Sequence, residues 1–380
     1  MRICMLVSAG FPPREGMGFY IWNLSRFLLG LGHEVHIITR GQARPTSREV
    51  LDGITIWRPP FLPVYPFHVH LHGYFVDRLL ANIGMDFDVL HLHMPLVRQP
   101  AGRIPTLVTV HTPMKADIRN IPANTPFNVL IKLQAPISYR LEQEVLDGAD
   151  GIAAVARSVA DELRDYGIDP RCVAVLGNAV DTSVFFPGTS TAPVGKPYFL
   201  TAGRLAPRKG LEDLLSCAEI VAATHPDVRF LIAGTGPREK ELQALIKKKD
   251  LTKNVSLTGH ISDRAQMVDL YRGATAYIHS AHYEGLATVM LEAMACARPV
   301  ISTAVSGALD VIVDGQNGVL VPPRAPKEMA AAAIRLLENP GLAQNLGREA
   351  LRTIQTRYTW EAVARLYEAE YEKLAQKTGA

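Results

Sequence analysis

Short unbroken apolar runs alternate along this chain with segments of helical apolar spacing, and that alternation leaves few folds open. Ile3-Cys4-Met5-Leu6-Val7 has no polar break, as expected of a strand buried on both faces. Phe11–Gly16 reads as a loop. Phe19–Leu31 places Ile21, Leu24, Phe27, Leu28 and Leu31 on one helical face, and Gly30 and Gly32 end it. Val35–Thr39 is the next strand. Strand, helix, strand is a βαβ unit, which implies a parallel sheet. Further strands are predicted at Asp88–His91, Thr106–Val110, Gly151–Val155 and Val173–Leu176, with helices at Tyr74–Ile83, Ile131–Asp147 and Ser158–Tyr166.

Pro187–Pro197 interrupts the pattern with breakers and small residues and has almost nothing apolar to bury. It reads as an interdomain linker. The alternation then restarts, with strands at Tyr198–Ala202, Val228–Ala233, Val255–Thr258, Ala276–His279 and Val300–Ser302. Helices fall at Leu211–His225, Glu239–Lys249, near Leu291, at Lys327–Glu338 and at Trp360–Lys377. The expected organisation is therefore two doubly wound α/β domains, residues 1–187 and 198–357, joined by 188–197. Ligands of such sheets sit at the carboxyl ends of the strands, so a cleft between the domains is the default site.

Composition removes other classes. Among 380 residues, 40 are Lys or Arg and 37 Asp or Glu, a net charge of +3. No bulk field argues for nucleic acid. Cys4, Cys172, Cys217 and Cys296 are scattered, so neither a zinc framework nor a disulfide scaffold is expected, and a reducing cytoplasm is the simpler setting. The apolar start is strand-length with no cleavage site after it, and no stretch approaches the roughly 20 apolar residues of a membrane span.

Four groups of residues carry chemistry. In the first, Glu284 and Glu292 lie eight residues apart, spanning a loop and the start of a helix. A carboxylate only accepts hydrogen bonds and suits paired hydroxyls of a ribose or sugar, while the N–H groups around Thr288 offer an anion site. Helix caps or surface charges are the plainer alternative. The second is Gly203-Arg204-Leu205-Ala206-Pro207-Arg208-Lys209-Gly210, whose Arg204 and Lys209 could clamp a diphosphate; a solvated basic turn is its alternative. Gly16, in the first βα loop, would let backbone approach a phosphate. His111 ends the Thr106–Val110 strand, a position that points a polar side chain at the ligand side of the sheet.

Together these resemble the retaining glycosyltransferases of the GT-B fold, family-4 class, over nearly the whole chain and in order. Matching stretches include Gly32-His33-Glu34-Val35, Val110-His111-Thr112, Asn178-Ala179-Val180-Asp181 and Gly315-Gln316-Asn317-Gly318. The resemblance implies two Rossmann-like domains facing a central cleft, with the acceptor on the first and a UDP- or GDP-linked sugar on the second. It implies that helix 360–380 returns to the first domain and that no metal or other cofactor is required. It gives Glu292 the ribose, Glu284 the sugar hydroxyls, and Leu286, Ala287 and Thr288 the sugar and diphosphate. Arg204 and Lys209 would neutralise the leaving diphosphate, Gly16 would abut it, and His111 would touch the donor sugar. His260 and Ile261 would border the base, and Lys115 and Arg119 would lie on the acceptor side. Glu15, Ala179, Ala287 and Ala297 each stand where the family commonly has glycine. A nucleotide-sugar epimerase or hydrolase, and an inactive nucleotide-sugar-binding scaffold, are the competing readings.

Other features read more plainly. Asp86-Phe87-Asp88 looks like a metal motif but precedes a strand instead of ending one. His68, His70 and His72 alternate and would share one face of a strand, as a His cluster more readily than as a zinc site. Lys247-Lys248-Lys249 complements a helix C-terminus. Lys115–Arg140 mixes cations with apolar residues, as a helix packed on the sheet or as a peripheral contact with an anionic membrane surface.

Overall fold

A computed structural model describes residues 1–8, 10–13, 16–64, 67–95, 97–121, 126–192 and 195–378. By their contacts they divide into two units, Met1–Asn178 with Trp360–Ala380, and Ala179–Thr359.

In unit 1 the strands are β1 (Arg2–Val7), β2 (Glu34–Ile38), β3 (Ser47–Leu51), β4 (Ile54–Arg58), β5 (Val89–Met94), β6 (Thr106–Val110), β7 (Gly151–Ala154) and β8 (Val173–Val175). The helices are α1 (Gly16–Gly30), α2 (His68–Ile83), α3 (Met114–Arg119), α4 (Pro126–Asp147) and α5 (Arg157–Glu162). Sheet order is β3-β4-β2-β1-β5-β6-β7-β8. All neighbours are parallel except β3 and β4, a hairpin turned at Asp52-Gly53 with both residues at positive φ. The continuous apolar runs are the central strands: Ile3–Val7 and Val89–Met94 are buried throughout. At roughly 1.5–3 kcal/mol per buried large aliphatic side chain, these runs anchor the layer.

Unit 2 holds β9 (Tyr198–Ala202), α6 (Leu211–Thr224), β10 (Arg229–Ala233), α7 (Glu239–Lys248), β11 (Val255–Gly259), α8 (Arg264–Gly273) and β12 (Ala276–His279). It continues with α9 (Thr288–Ala295), β13 (Val300–Thr303), α10 (Ser306–Val311), β14 (Val319–Val321), α11 (Pro326–Glu338) and α12 (Pro340–Arg357). Its sheet is parallel, in the order β11-β10-β9-β12-β13-β14. The winding direction reverses between β9 and β12, the position where doubly wound sheets open a crevice.

The last helix, α13 (Trp360–Thr378), belongs to unit 1 and packs on α1, with Trp360, Tyr367 and Tyr371 fully buried. The chain passes between units at Asn178–Ala179 and again at Thr359–Trp360. The Pro187–Pro197 stretch clusters with unit 2. Ser190 Oγ donates to the Asp269 carbonyl at 2.9 Å, and Thr191 N–H to Asp269 Oδ1 at 2.8 Å. Ser190 and Thr191 thus tie this part of the chain to α8 by polar contacts.

One reading changes. His68, His70 and His72 lie in the first turns of α2, not on a strand; His68 and His72 are buried and His70 is exposed. Asp88 Oδ2 accepts the Arg2 N–H at 2.7 Å and Phe87 packs edge-on to His36, so Asp86–Asp88 ties down the start of β1. Among the described residues no group of three or more His, Cys, Asp and Glu could hold a metal ion, and no helix is long and apolar enough to cross a membrane. On α4, Leu141, Val145 and Leu146 are buried, while Val129, Leu130, Leu133 and Ile137 are exposed.

Candidate functional site

In unit 2 the loops that follow β9 and β12 meet at the reversal of the sheet. Gly210 closes the first loop at φ +59°, and a Cβ there would collide with the Ser280 carbonyl of the second. Only glycine allows that approach. Ser280 Oγ donates to the Lys209 carbonyl at 2.8 Å, and His282 N–H to the Arg208 carbonyl at 2.8 Å. The two loops are thereby one rigid structure.

That rigidity aims the charges. Lys209 Nζ donates to Glu284 Oε2, and Arg208 Nη2 stands 4.0 Å from Glu284 Oε1. Burial pushes the Glu284 carboxyl up, but Lys209 first and Arg208 next outweigh it and hold the group at about 2. It is a carboxylate at any ordinary pH, with Lys209 fixed against it. Arg204 is exposed and pairs with no acidic side chain among the described residues.

Glu292 is the one charged residue of α9, whose Met290, Leu291, Ala293, Met294 and Ala295 are buried. Tyr271 of α8 donates its hydroxyl to Glu292 Oε2 at 2.9 Å. Burial raises the Glu292 carboxyl; the Tyr271 hydrogen bond and the Arg264 charge pull it part of the way back. Ala287 is the N-cap of α9 and no side chain caps the helix, so its first N–H groups are available to an anion. Leu286 and Ala287 are buried and Thr288 is half-buried. His260, exposed, and Ile261, half-buried, follow Gly259 at the end of β11.

Sequence reasoning missed Arg208, Tyr271 and His279. His279 ends β12 as His111 follows β6, a parallel that position could have revealed. Its Nδ1 lies 3.2 Å from Ser302 Oγ, whose proton goes to the Thr303 carbonyl at 2.9 Å, so His279 Nδ1 is the donor. Its Nε2 is buried without a partner among the described residues, and burial pushes the ring down to about 4. With Thr201, Gly203, Arg204, Lys209 and Tyr277 it lines a pocket at the ends of β9 and β12.

In unit 1, Gly16 opens α1, exposed, and a Cβ there would meet nothing within 4 Å among the described residues. The close packing falls on Gly18, whose Cβ would lie 3.1 Å from that of Pro13. Glu15 lies outside the described residues. His111 is half-buried, with Nε2 3.2 Å from His93 Nδ1 and its ring edge-on to Tyr20 at 4.8 Å. Burial pushes its imidazole down to about 4. Lys115 and Arg119 are both engaged: Lys115 Nζ donates to the Asp165 carbonyl at 2.5 Å, and Arg119 pairs with the Asp165 carboxylate at 2.7 Å. Of the three alanines at described family-glycine positions, Ala297 alone has a positive φ, +56°.

Two family patterns match in succession: "Glycosyltransferase Family 4" over residues 14–184, and "Glycosyl transferases group 1" over 186–353. A D-inositol 3-phosphate glycosyltransferase of Frankia alni is 30% identical over 400 residues, covering 96% of each chain. A glycogen synthase of Mycobacterium tuberculosis is 27% identical over 402 residues, covering 100% of this chain and 96% of its own. The sucrose-phosphate synthase of Thermosynechococcus elongatus shares the fold, with a TM-score of 0.83 at 22% identity over 98% of both chains.

Proposed function

This chain belongs to the family-4 glycosyltransferases of the GT-B fold, and from that premise we propose that it moves a hexosyl group from a UDP- or GDP-linked sugar to a hydroxyl acceptor with retention of configuration. The observation that carries the reading is the Lys209–Glu284 pair beside the uncapped start of α9. It sets a fixed cation, a permanent carboxylate and free N–H groups around one point.

In this reading the bond between the anomeric carbon and the β-phosphate oxygen breaks, and its electron pair stays on the phosphate. Lys209, Arg204 and the α9 N–H groups receive that charge; losing one such preorganised donor costs about 3–4 kcal/mol of barrier. No metal is called for in this scheme. Glu284 and His111 meet hydroxyls of the sugar, Glu292 the ribose, and His260 and Ile261 the base. The acceptor oxygen bonds to the same face of the anomeric carbon, and its proton passes to the departing phosphate. Lys115 and Arg119, tied to Asp165, frame the acceptor side rather than reach for charge. The relatives named for D-inositol 3-phosphate and glycogen have polyhydroxyl acceptors by those names, which favours a polyol or glycan here. A cytoplasmic setting agrees with four free thiols. Where the acceptor is a lipid, the exposed row Val129, Leu130, Leu133 and Ile137, with Lys132 beside it, is the surface that would rest on the membrane.

The test is thermal shift with UDP-, GDP- and ADP-sugars, followed by product analysis by NMR with and without acceptors. A ligand at 100 times its Kd stabilises by about 2.7 kcal/mol, a visible shift. Binding of one nucleotide sugar with transfer to a hydroxyl supports the reading. No response to any nucleotide sugar overturns it, and an epimer or free sugar alone would favour the epimerase or hydrolase.

A further inference from the structure

Unit 1 contains a buried pair of imidazoles, His91 and His93, that the scheme above does not use. His91 and His93 on β5 are fully buried, with ring centroids 3.9 Å apart, and His93 Nδ1 faces His111 Nε2 at 3.2 Å. His91 is held on both sides: its Nδ1 lies 2.7 Å from the Tyr371 hydroxyl of α13, and its Nε2 lies 2.7 Å from Thr109 Oγ1. Thr109 Oγ1 in turn lies 3.1 Å from the Tyr367 hydroxyl, which is 2.7 Å from that of Tyr20. These bonds fix His91 from α1, β6 and α13, and the His93 ring packs against it and lies edge-on to Tyr20 at 6.0 Å while its Nδ1 faces His111.

A neutral imidazole carries one proton, and the His93–His111 contact needs one proton between its two nitrogens. If His111 supplied it from Nε2, the proton of His93 would sit on its own Nε2. That atom is buried and has no partner among the described residues. A buried N–H with no acceptor is among the rarest features of folded proteins; a bare ring nitrogen is easier to leave unpaired. If His93 supplies the proton from Nδ1, only a lone pair is orphaned. His111 then accepts at Nε2 and must carry its own proton on Nδ1, which meets no protein acceptor among the described residues.

We propose that His93 is a positioning residue that fixes His111 in the Nδ1–H form, so that His111 offers its ligand a hydrogen-bond donor and cannot act there as a base. The proposal rests on the reading of His111 as a sugar-contacting residue, and it adds which atom of His111 does the work. Burial holds both rings neutral, which is the condition for one tautomer to be selected.

The test has two arms. Long-range 1H–15N correlation spectra of the 15N-labelled full chain, with His111 assigned by its loss in His111→Asn, should show the His111 proton on Nδ1. A proton on Nε2, or an even mixture, overturns the proposal whether or not the enzyme turns over. In the second arm, nucleotide release is followed with UDP-glucose, GDP-mannose and ADP-glucose in His93→Leu and His93→Asn, since an Asn amide can donate from near the Nδ1 position. His93→Leu should lower kcat by about 10- to 100-fold with KM for the nucleotide sugar nearly unchanged, and His93→Asn should recover most of it. Wild-type kcat in His93→Leu, or equal loss in both variants, overturns the proposal. A wild-type chain that releases nucleotide from none of the three counts against glycosyl transfer, and the nitrogen spectra still decide the tautomer.

Discussion

Lys209 and Glu284 close on each other from the loops after β9 and β12, 75 residues apart in sequence and adjacent where the sheet reverses its winding. Their side chains are only 15% and 14% exposed. A pair so placed is a weak contributor to stability, because desolvation offsets most of the attraction. Its value is geometric: Glu284 holds Lys209 in one position before any ligand arrives.

This predicts a split between stability and activity. Lys209→Ala leaves the Glu284 carboxylate buried without its main partner and should lower stability by about 3 kcal/mol. Lys209→Met combined with Glu284→Gln removes both charges and should regain most of that stability while remaining inactive. Denaturant unfolding and nucleotide release on the three proteins check it. An active double variant would remove both residues from the site.

Acid sensitivity follows from the same pair. The folded Glu284 carboxyl is held at about 2 against an ordinary 4.5, so it binds its proton more weakly folded than unfolded. Its contribution is fully present above pH 4.5 and is lost as pH falls towards 2. Glu284→Gln should flatten the stability profile in that window, read from thermal melts between pH 2 and 6.

Tyr271 and Glu292 make a second pair with the opposite sign. Burial raises Glu292, and the Tyr271 hydroxyl keeps the rise in check. Tyr271→Phe should therefore raise the Glu292 carboxyl further. If the carboxylate holds a ribose, the acidic limb of nucleotide binding moves to higher pH, with affinity little changed well above that limb. Calorimetric titration with UDP or GDP from pH 4.5 to 8 measures the shift.

Much of this was legible in the sequence, because buried parallel strands advertise themselves as unbroken apolar runs. Thr106–Val110, Tyr198–Ala202 and Ala276–His279 fall where their composition puts them. The β3–β4 hairpin escaped because both strands are short and β3 is mostly exposed, although Asp52-Gly53 is a strong turn signal. The α2 histidines misled because a period of two looks like a strand, and nothing local showed a helix starting at His68. The placement of Glu284 and Glu292 was readable from one loop-to-helix junction. Tyr271 and the α13 tyrosines were not, because their partners are distant in sequence: Tyr371 meets His91 across 280 residues.

Ala297 tests the cost of a departure from the family pattern. It sits at φ +56°, where a Cβ is strained by roughly 1–2 kcal/mol. Glycine would relieve that strain but add about 0.4–1 kcal/mol of unfolded-state entropy. Ala297→Gly should stabilise the protein by a net of about 0.5–1 kcal/mol, raising Tm by roughly 1–4 °C, with nucleotide binding unchanged. A lower Tm would mean that the Ala297 methyl contributes packing that outweighs its strain.

Glu142 is shifted in the opposite direction to Glu284 and serves as an internal control for the acid profile. Burial pushes its carboxyl up to about 7, against the Tyr166 hydroxyl and the Met114 N–H, which donates at 2.9 Å and pulls it down. The folded protein thus holds this proton more tightly than the unfolded chain does. Its contribution is fully present below pH 4.5 and is lost as pH rises through 7, the reverse of Glu284. Glu142→Gln fixes the neutral shape. It should leave stability nearly unchanged at pH 4.5 and raise it relative to wild type at pH 8, by on the order of 1–3 kcal/mol. Denaturant melts at the two pH values suffice. An equal effect at both would show that Glu142 does not change its charge between them.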